Sequence, residues 1–292
     1  MLPDNRAEGS TPTRQAQLVM LSMLKAVDVV CKKNKISYWL SEGTLIGVVR
    51  HKGFIPWDDD LDICMMREDF NRFKLVASDL LPASMFLQSR ETDPEFRHGY
   101  LKIRDNYSTF LMEGEGQRKY HQGIFLDIFP MDLYADHPKI FRAAGKIKLI
   151  TKLLSGREAS LHLNETKRLR FYLILLLRPF KLVPLHTFRR FLKNRYLHLN
   201  QRLLSRVTGR LINYGPELDW YVFLKPEEVF PLTTLAFEGT VFPVPCNWDT
   251  VLRKQYGDYM IPPRYPMVHG DSIRPFIPCN HSAALPWPVE DK

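Results

Sequence analysis

Residues 38–66 read YWLSEGTLIGVVRHKGFIPWDDDLDICMM, and the fold is decided there. Tyr38–Leu40 is a short strand, Gly43-Thr44 a turn, Leu45–Arg50 an apolar helix, and a Pro-Trp loop leads into a second strand carrying Asp58, Asp59, Asp60 and Asp62. Side chains two apart in a strand share a face. Asp60 and Asp62 therefore point one way, with Leu61 and Ile63 opposite, and two carboxylates above an apolar floor invite a divalent cation.

Working outward, Arg14 to Lys33 repeats Leu18, Leu21, Leu24 and Met20, Met23, Val27 at helical spacing. Arg67 to Leu81 does the same with Phe70, Phe73, Val76, Ala77 and Leu80 until Pro82 stops it. Met85–Gln88 and Tyr100–Arg104 are predicted strands. In the second, Lys102 and Arg104 share a face, and Thr109–Met112 is its expected hairpin partner. Gly123–Phe129 is a buried strand that holds one acid, Asp127, and ends at Pro130. An unpaired charge there would cost several kcal/mol, so Asp127 needs a partner, and a cation is an economical one. Strand, helix, strand, helix followed by further strands gives an α/β (α+β) chain.

Composition divides the chain. The net charge is +9 and the pI about 9.3. Residues 138–210 alone hold 18 Lys/Arg against Glu158 and Glu165, a net +16, so the remainder is net −7. The expected organisation is a flexible N-terminus (1–13), a catalytic core (14–136), a basic helical insertion (137–212) broken at Gly156, Pro179 and Pro184, and a C-terminal segment (213–292) that completes the core. In that last segment Glu217–Leu224 and Leu235–Phe242 read as strands, and a helix runs from an Asn247 cap to Gly257. Four scattered cysteines without a C-x-x-C pair suggest neither zinc nor a disulfide framework. The polar N-terminus lacks a signal-peptide pattern, and the longest apolar run, Phe171–Leu177, is far shorter than the roughly 20 residues of a membrane span. A cytoplasmic protein, peripheral on the inner membrane face where the basic helices meet anionic lipid, is the expectation.

Gly43-Thr44 before a helix offers amides and a hydroxyl to a phosphate. D-x-D on the next strand suits Mg²⁺ or Mn²⁺, hard cations that take carboxylate oxygens beside substrate phosphates. Asp127 from another strand completes a phosphoryl-transfer set. Lys102 and Arg104 could hold donor phosphates or form a solvent face. Arg50, His51 and Lys52 make a small cationic cluster, with His51 a loop residue rather than a base. Asp58 and Asp59 read as solvated or as loop supports, and Trp57 as shaping the loop.

These residues carry a resemblance. Residues 38–63 closely resemble the signature of LicD-type phosphotransferases, the bacterial phosphocholine transferase family, which is also similar to the catalytic part of fukutin and fukutin-related protein. LKIRDNYSTFL (101–111), GIFLDIFPMD (123–132), FEGTVFPVP (237–245) and YGDYMIPP (256–263) look like further landmarks in the family's order. The resemblance implies a nucleotidyltransferase-like mixed sheet flanked by helices. It also implies transfer of a phosphorylated alcohol, phosphocholine first, from a CDP-activated donor to a hydroxyl of a cell-surface glycan such as lipopolysaccharide or teichoic acid. Asp60, Asp62 and Asp127 match the metal and catalytic acids, and Gly43 and Thr44 the phosphate side. Glu-Gly-Thr replaces the Gly-Gly or Gly-Ser of wider nucleotidyltransferases.

Ribitol- or glycerol-phosphate transfer is the nearest alternative, and a nucleotidyltransferase acting on nucleic acid a more distant one. The basic region lacks a stacking platform of aromatics, so no nucleic acid is expected. A non-catalytic membrane adaptor is a third class, against which the full acid set speaks. A choline pocket would need aromatic faces, for which Trp220, Tyr221, Trp248 and Tyr256 are available.

Overall fold

The computed structural model describes residues 4–112, 118–155, 185–216, 218, 222–263, 270–281 and 284. It separates into two compact units. One holds the chain up to Asp132, Ile212–Leu218 and the residues from Val222 onward, and the other comprises Leu133–Leu211.

The first unit is built on a mixed sheet. Its strands are β1 (Trp39–Leu40), β2 (Asp62–Met66), β3 (Met85–Gln88), β4 (Leu101–Asp105), β6 (Phe125–Ala135) and β7 (Arg210–Tyr214). The order is β1-β2-β6-β4-β3, with β7 also on β6. β2 and β6 pair in parallel register, whereas β1, β4 and β3 join antiparallel. This is the mixed sheet flanked by helices that the resemblance implied.

Helix α1 (Pro12–Asn34) starts where Thr11 Oγ1 accepts the Arg14 amide at 3.1 Å, with Pro12 at the first helical position. It buries Met20, Met23, Leu24 and Val27 completely, each worth about 1.5–3 kcal/mol of transfer free energy. Helix α2 (Glu42–His51) connects β1 to the acidic loop, and α3 (Arg67–Leu80) follows β2 directly and buries Phe70, Phe73 and Ala77.

Four departures from the sequence expectation have physical causes. β5 (Thr109–Met112) does not hairpin onto β4, because β3 and β6 already occupy both of β4's edges; it pairs instead with β10 (Gly270–Arg274). β6 continues through Pro130 to Ala135. The Pro130 carbonyl accepts the Gly215 amide at 2.8 Å, and since a strand residue's N–H and C=O point to the same side, the missing donor faces Gly215 and not β2. β2 begins at Asp62, so Asp60 stands in the extended loop before it. The N-terminal arm is anchored: Arg6, 3% exposed, bonds both carboxylate oxygens of Asp105 at 2.9 Å and also the Pro275 carbonyl.

In the C-terminal part, β8 (Thr233–Phe237) and β9 (Thr240–Val244) form a hairpin turned at Glu238-Gly239, both at positive φ. Asn247 caps the helix Trp248–Tyr256, and Gly257 ends it at φ 69°. The predicted strand at Glu217–Leu224 lies largely outside the described residues. In the second unit, α4 (Pro138–Ser155) and α5 (Leu185–Leu204) bury Ile140, Ala144 and Ile147, and Tyr196 and Leu203. The predicted breaks at Gly156, Pro179 and Pro184 fall outside the described residues.

Removing Arg6 strands the buried Asp105 carboxylate. Arg6→Ala should lose about 3–5 kcal/mol, the usual cost of breaking a buried ion pair, read as a lower midpoint in urea unfolding. A midpoint within error of wild type would mean that the arm contributes nothing.

Candidate active site

The parallel register of β2 and β6 sets Asp62 directly beside Asp127, and the antiparallel register of β6 and β4 sets Lys102 directly beside Asp127 on its other side. Three strands thus present one row, Asp62–Asp127–Lys102. All three are buried, at 7%, 8% and 3% exposure. The Lys102 ammonium lies 2.6 Å from Asp127 Oδ1, an ion-pair contact without hydrogen-bond alignment, and donates to Oδ2 at 2.9 Å. It also sits 3.4 Å from the Phe125 ring centroid and 5.5 Å from that of Tyr100.

Asp62 is held from behind. Its amide donates to Thr44 Oγ1 at 2.8 Å, which ties the first turn of α2 to the first residue of β2. The Ser41 amide donates to the Asp62 carbonyl at 3.1 Å. Burial pushes the Asp62 carboxyl well above the usual carboxylate range, and the charges of Asp60, Asp127, Glu42 and Asp58 push it further. Burial lowers the Lys102 pKa against the opposing pull of Asp127.

Gly43 and Thr44 belong to α2 itself rather than to a separate turn. Residues 42–44 precede its first intrahelical bond, from Leu45 N–H to the Ser41 carbonyl, so their amides have no acceptor within the helix. A side chain at Gly43 would bring its Cβ to 3.3 Å from Asp58 Oδ2, so glycine lets the helix approach the acidic loop. Thr44 is 1% exposed, and its hydroxyl serves β2. Asp58 and Asp59 are buried supports, not solvated: Gln17 donates to the Asp58 carbonyl at 2.9 Å, and Asp59 Oδ2 accepts the Gly270 amide at 2.8 Å.

The remaining predicted residues stand apart from the row's acids. Arg104 is 2% exposed and donates to Gln88 Oε1 and to the Gly123 carbonyl, each at 2.8 Å. Arg50 is in the last turn of α2, about 9 Å along the axis from Thr44, where its guanidinium donates to the Tyr259 carbonyl at 3.3 Å.

Sequence reasoning missed Glu42. It opens α2 at φ 48°, in the left-handed region that L side chains rarely adopt. Its carboxylate accepts the Tyr214 and Tyr256 hydroxyls and, at 2.7 Å, the Gln255 side-chain amide. Burial and then Asp60 raise its pKa, against the pull of the Tyr256 and Gln255 hydrogen bonds. The one signal in the sequence is an acid set directly before Gly-Thr in an otherwise apolar helix.

Glu42, Asp58, Asp60, Asp62 and Asp127 therefore crowd one place, and Lys102 is the cation in contact with Asp127. An all-carboxylate oxygen set with excess negative charge fits a hard divalent cation. Among the described residues, no three His, Cys, Asp or Glu side chains already stand at metal-ligating spacing.

Comparison with known proteins bears on the same residues. Residues 35–143, which contain every member of the row, match the family model described as LicD/FKTN/FKRP, nucleotidyltransferase domain. The lipopolysaccharide cholinephosphotransferase LicD of Haemophilus influenzae is 28% identical over 86% of this chain and 92% of its own length. An uncharacterized protein of Rickettsia prowazekii is 31% identical over 47% of this chain and 49% of its own, and one of Rickettsia typhi 39% identical over 26% and 24%. The acid row thus lies inside the segment that resembles the LicD/FKTN/FKRP nucleotidyltransferase domain, and the chain is similar to the Haemophilus influenzae protein over most of its length.

Proposed function

We propose that this protein is a divalent-cation-dependent phosphotransferase that moves phosphocholine from a CDP-activated donor to a hydroxyl of a lipopolysaccharide glycan. The observation that carries the reading is the row itself: Asp62 and Asp127 are direct neighbours on the two parallel strands, with Asp60, Glu42 and Asp58 close enough for their charges to act on Asp62. Support for the transferred group comes from the Haemophilus influenzae relative, a cholinephosphotransferase acting on lipopolysaccharide.

Mg²⁺ or Mn²⁺ held by Asp60, Asp62 and Asp127 would supply charge neutralisation for a pyrophosphate. Thr44 fixes the strand start that positions Asp62. Asp127 orients the acceptor hydroxyl and takes its proton as the oxygen attacks the β-phosphorus in line, the P–O bond to CMP breaking on the far side. The first-turn amides of α2 lie on the donor side. Glu42 holds Tyr214, Gln255 and Tyr256 at the edge of the acid cluster, which makes Tyr256 the aromatic candidate for a quaternary ammonium.

The second unit fits a membrane-surface role. Lys139, Arg142 and Lys146 on α4 and Arg190, Arg195 and Arg202 on α5 are exposed, as are Phe141 and Phe191 at 41% and 57%. Among the described residues no helix is long and apolar enough to cross a membrane. Cationic helices bearing exposed aromatics suit peripheral attachment to an anionic bilayer, on the cytoplasmic side where nucleotide donors are made.

Three outcomes follow. Asp62→Asn should abolish transfer yet raise the thermal midpoint of the cation-free protein at neutral pH, because it removes a buried charge that its neighbours oppose. A carboxyl whose folded pKa is raised costs stability in full above the raised value, and the cost shrinks as pH falls from there to the unfolded pKa, where it is gone; the variant's advantage should shrink on acidification. Retained transfer with added Mg²⁺ would sink the assignment. In thermal-shift titrations with Mg²⁺, CDP-choline should stabilise more than CDP-ribitol or CTP, and a preference for CDP-ribitol would transfer the reading to alditol phosphates. Sedimentation with phosphatidylglycerol vesicles should be strong at low salt and lost at high salt; no sedimentation at low salt ends the membrane role.

A further inference from the structure

Lys102 has two competing demands on it. Across β4, β6 and β2 its ammonium is the positive end of a row whose other members are Asp127 and Asp62. Both oxygens of Asp127 are engaged by that single ammonium, at 2.6 and 2.9 Å. A divalent cation on Asp127 would have to share the same carboxylate, and two positive centres a few ångströms apart in a site shielded from water repel strongly. The contacts of the Lys102 ammonium with the faces of Phe125 and Tyr100 impose no hydrogen-bond direction, so they tolerate a shift of the ammonium. Arg104 does not share this freedom, being fixed by Gln88 and Gly123.

We propose that Lys102 is the resident counter-ion of the acid row, neutralising Asp127 in the cation-free protein and leaving it when a divalent cation binds, which delivers the ammonium to a phosphate of the nucleotide. The inference rests on the cation-dependent reading above. Lys102 is in the first state a positioning residue: it holds Asp127 in its strand register and prevents an uncompensated buried charge. In the second state it is a phosphate ligand that becomes available only once the cation is in place. The exchange orders binding, with cation first and nucleotide phosphate second.

The test reads Lys102 directly. The full chain is treated with an amine-acylating reagent without cation, with saturating Mg²⁺, and with Mg²⁺ plus CTP, and acylation at Lys102 is measured by peptide mass spectrometry. Mg²⁺ binding by wild type and Lys102→Met is followed in parallel by calorimetry, first without nucleotide and then with CTP. Lys102 should be protected without cation, acylated at least about fivefold faster with Mg²⁺ alone, and protected again with CTP, while Lys102→Met should bind Mg²⁺ about tenfold more tightly, the scale expected when a competing charge leaves a shielded site. Heat of Mg²⁺ binding with unchanged protection of Lys102 in wild type overturns the exchange and leaves the phosphotransferase reading standing. No Mg²⁺ binding by either protein, with or without CTP, removes the cation reading and this inference with it. The footprint of wild type decides the matter even if the variant fails to fold.

Discussion

Parallel pairing of β2 with β6 is the constraint from which the rest of the site follows. Antiparallel strands could have met through a short turn; parallel ones need a crossover, and here α3, the β3–β4 pair and β5 all lie between β2 and β6 in the chain. The register that results puts a carboxylate on each strand at the same height, both buried side by side, where like charges are costly to keep together. Everything around the row addresses that cost. Lys102 neutralises one acid, the Thr44 hydroxyl fixes the backbone of the other, and Asp59 and Asp58 are engaged from the Gly270 amide and the Gln17 side. A site assembled from repelling charges is held by its scaffold rather than by its own contacts.

Much of that scaffold is legible in the sequence. Helices α1 and α3 announced themselves by apolar spacing, β3 by its bounds, and Asp127 by its isolation in an apolar run. Pairings were the unreadable part. β5 looked like the neighbour of β4 because it is close in sequence, but β4 was already flanked on both edges, and the true neighbour of β5 begins at residue 270. Strand onset was misjudged by two residues at Asp60, since alternation alone does not reveal where a ladder starts.

The site divides in the same way. The acids were visible because chemistry restricts where Asp is tolerated, whereas the work of Lys102 and Arg104 was not. Both share a face of β4, yet one meets a carboxylate and the other an amide and a carbonyl; the difference lies in β6 and β3, not in β4. Glu42 resembled an ordinary acid at a helix start. Only its left-handed backbone and its acceptance of donors from residues 214, 255 and 256 set it apart. Arg6 was hidden in a polar arm for a similar reason, its acceptor being Asp105.

The clamp on Glu42 also carries a consequence for the order of synthesis. A ribosome that has translated as far as β6 has already made Asp60, Asp62, Lys102 and Asp127, but Tyr214, Gln255 and Tyr256 do not yet exist. Until they emerge, Glu42 lacks the three side-chain donors that it accepts from in the folded protein. The hydrogen bonds that fix Glu42 beside the acid row therefore form only when the far end of the sequence has folded back onto the first turn of α2.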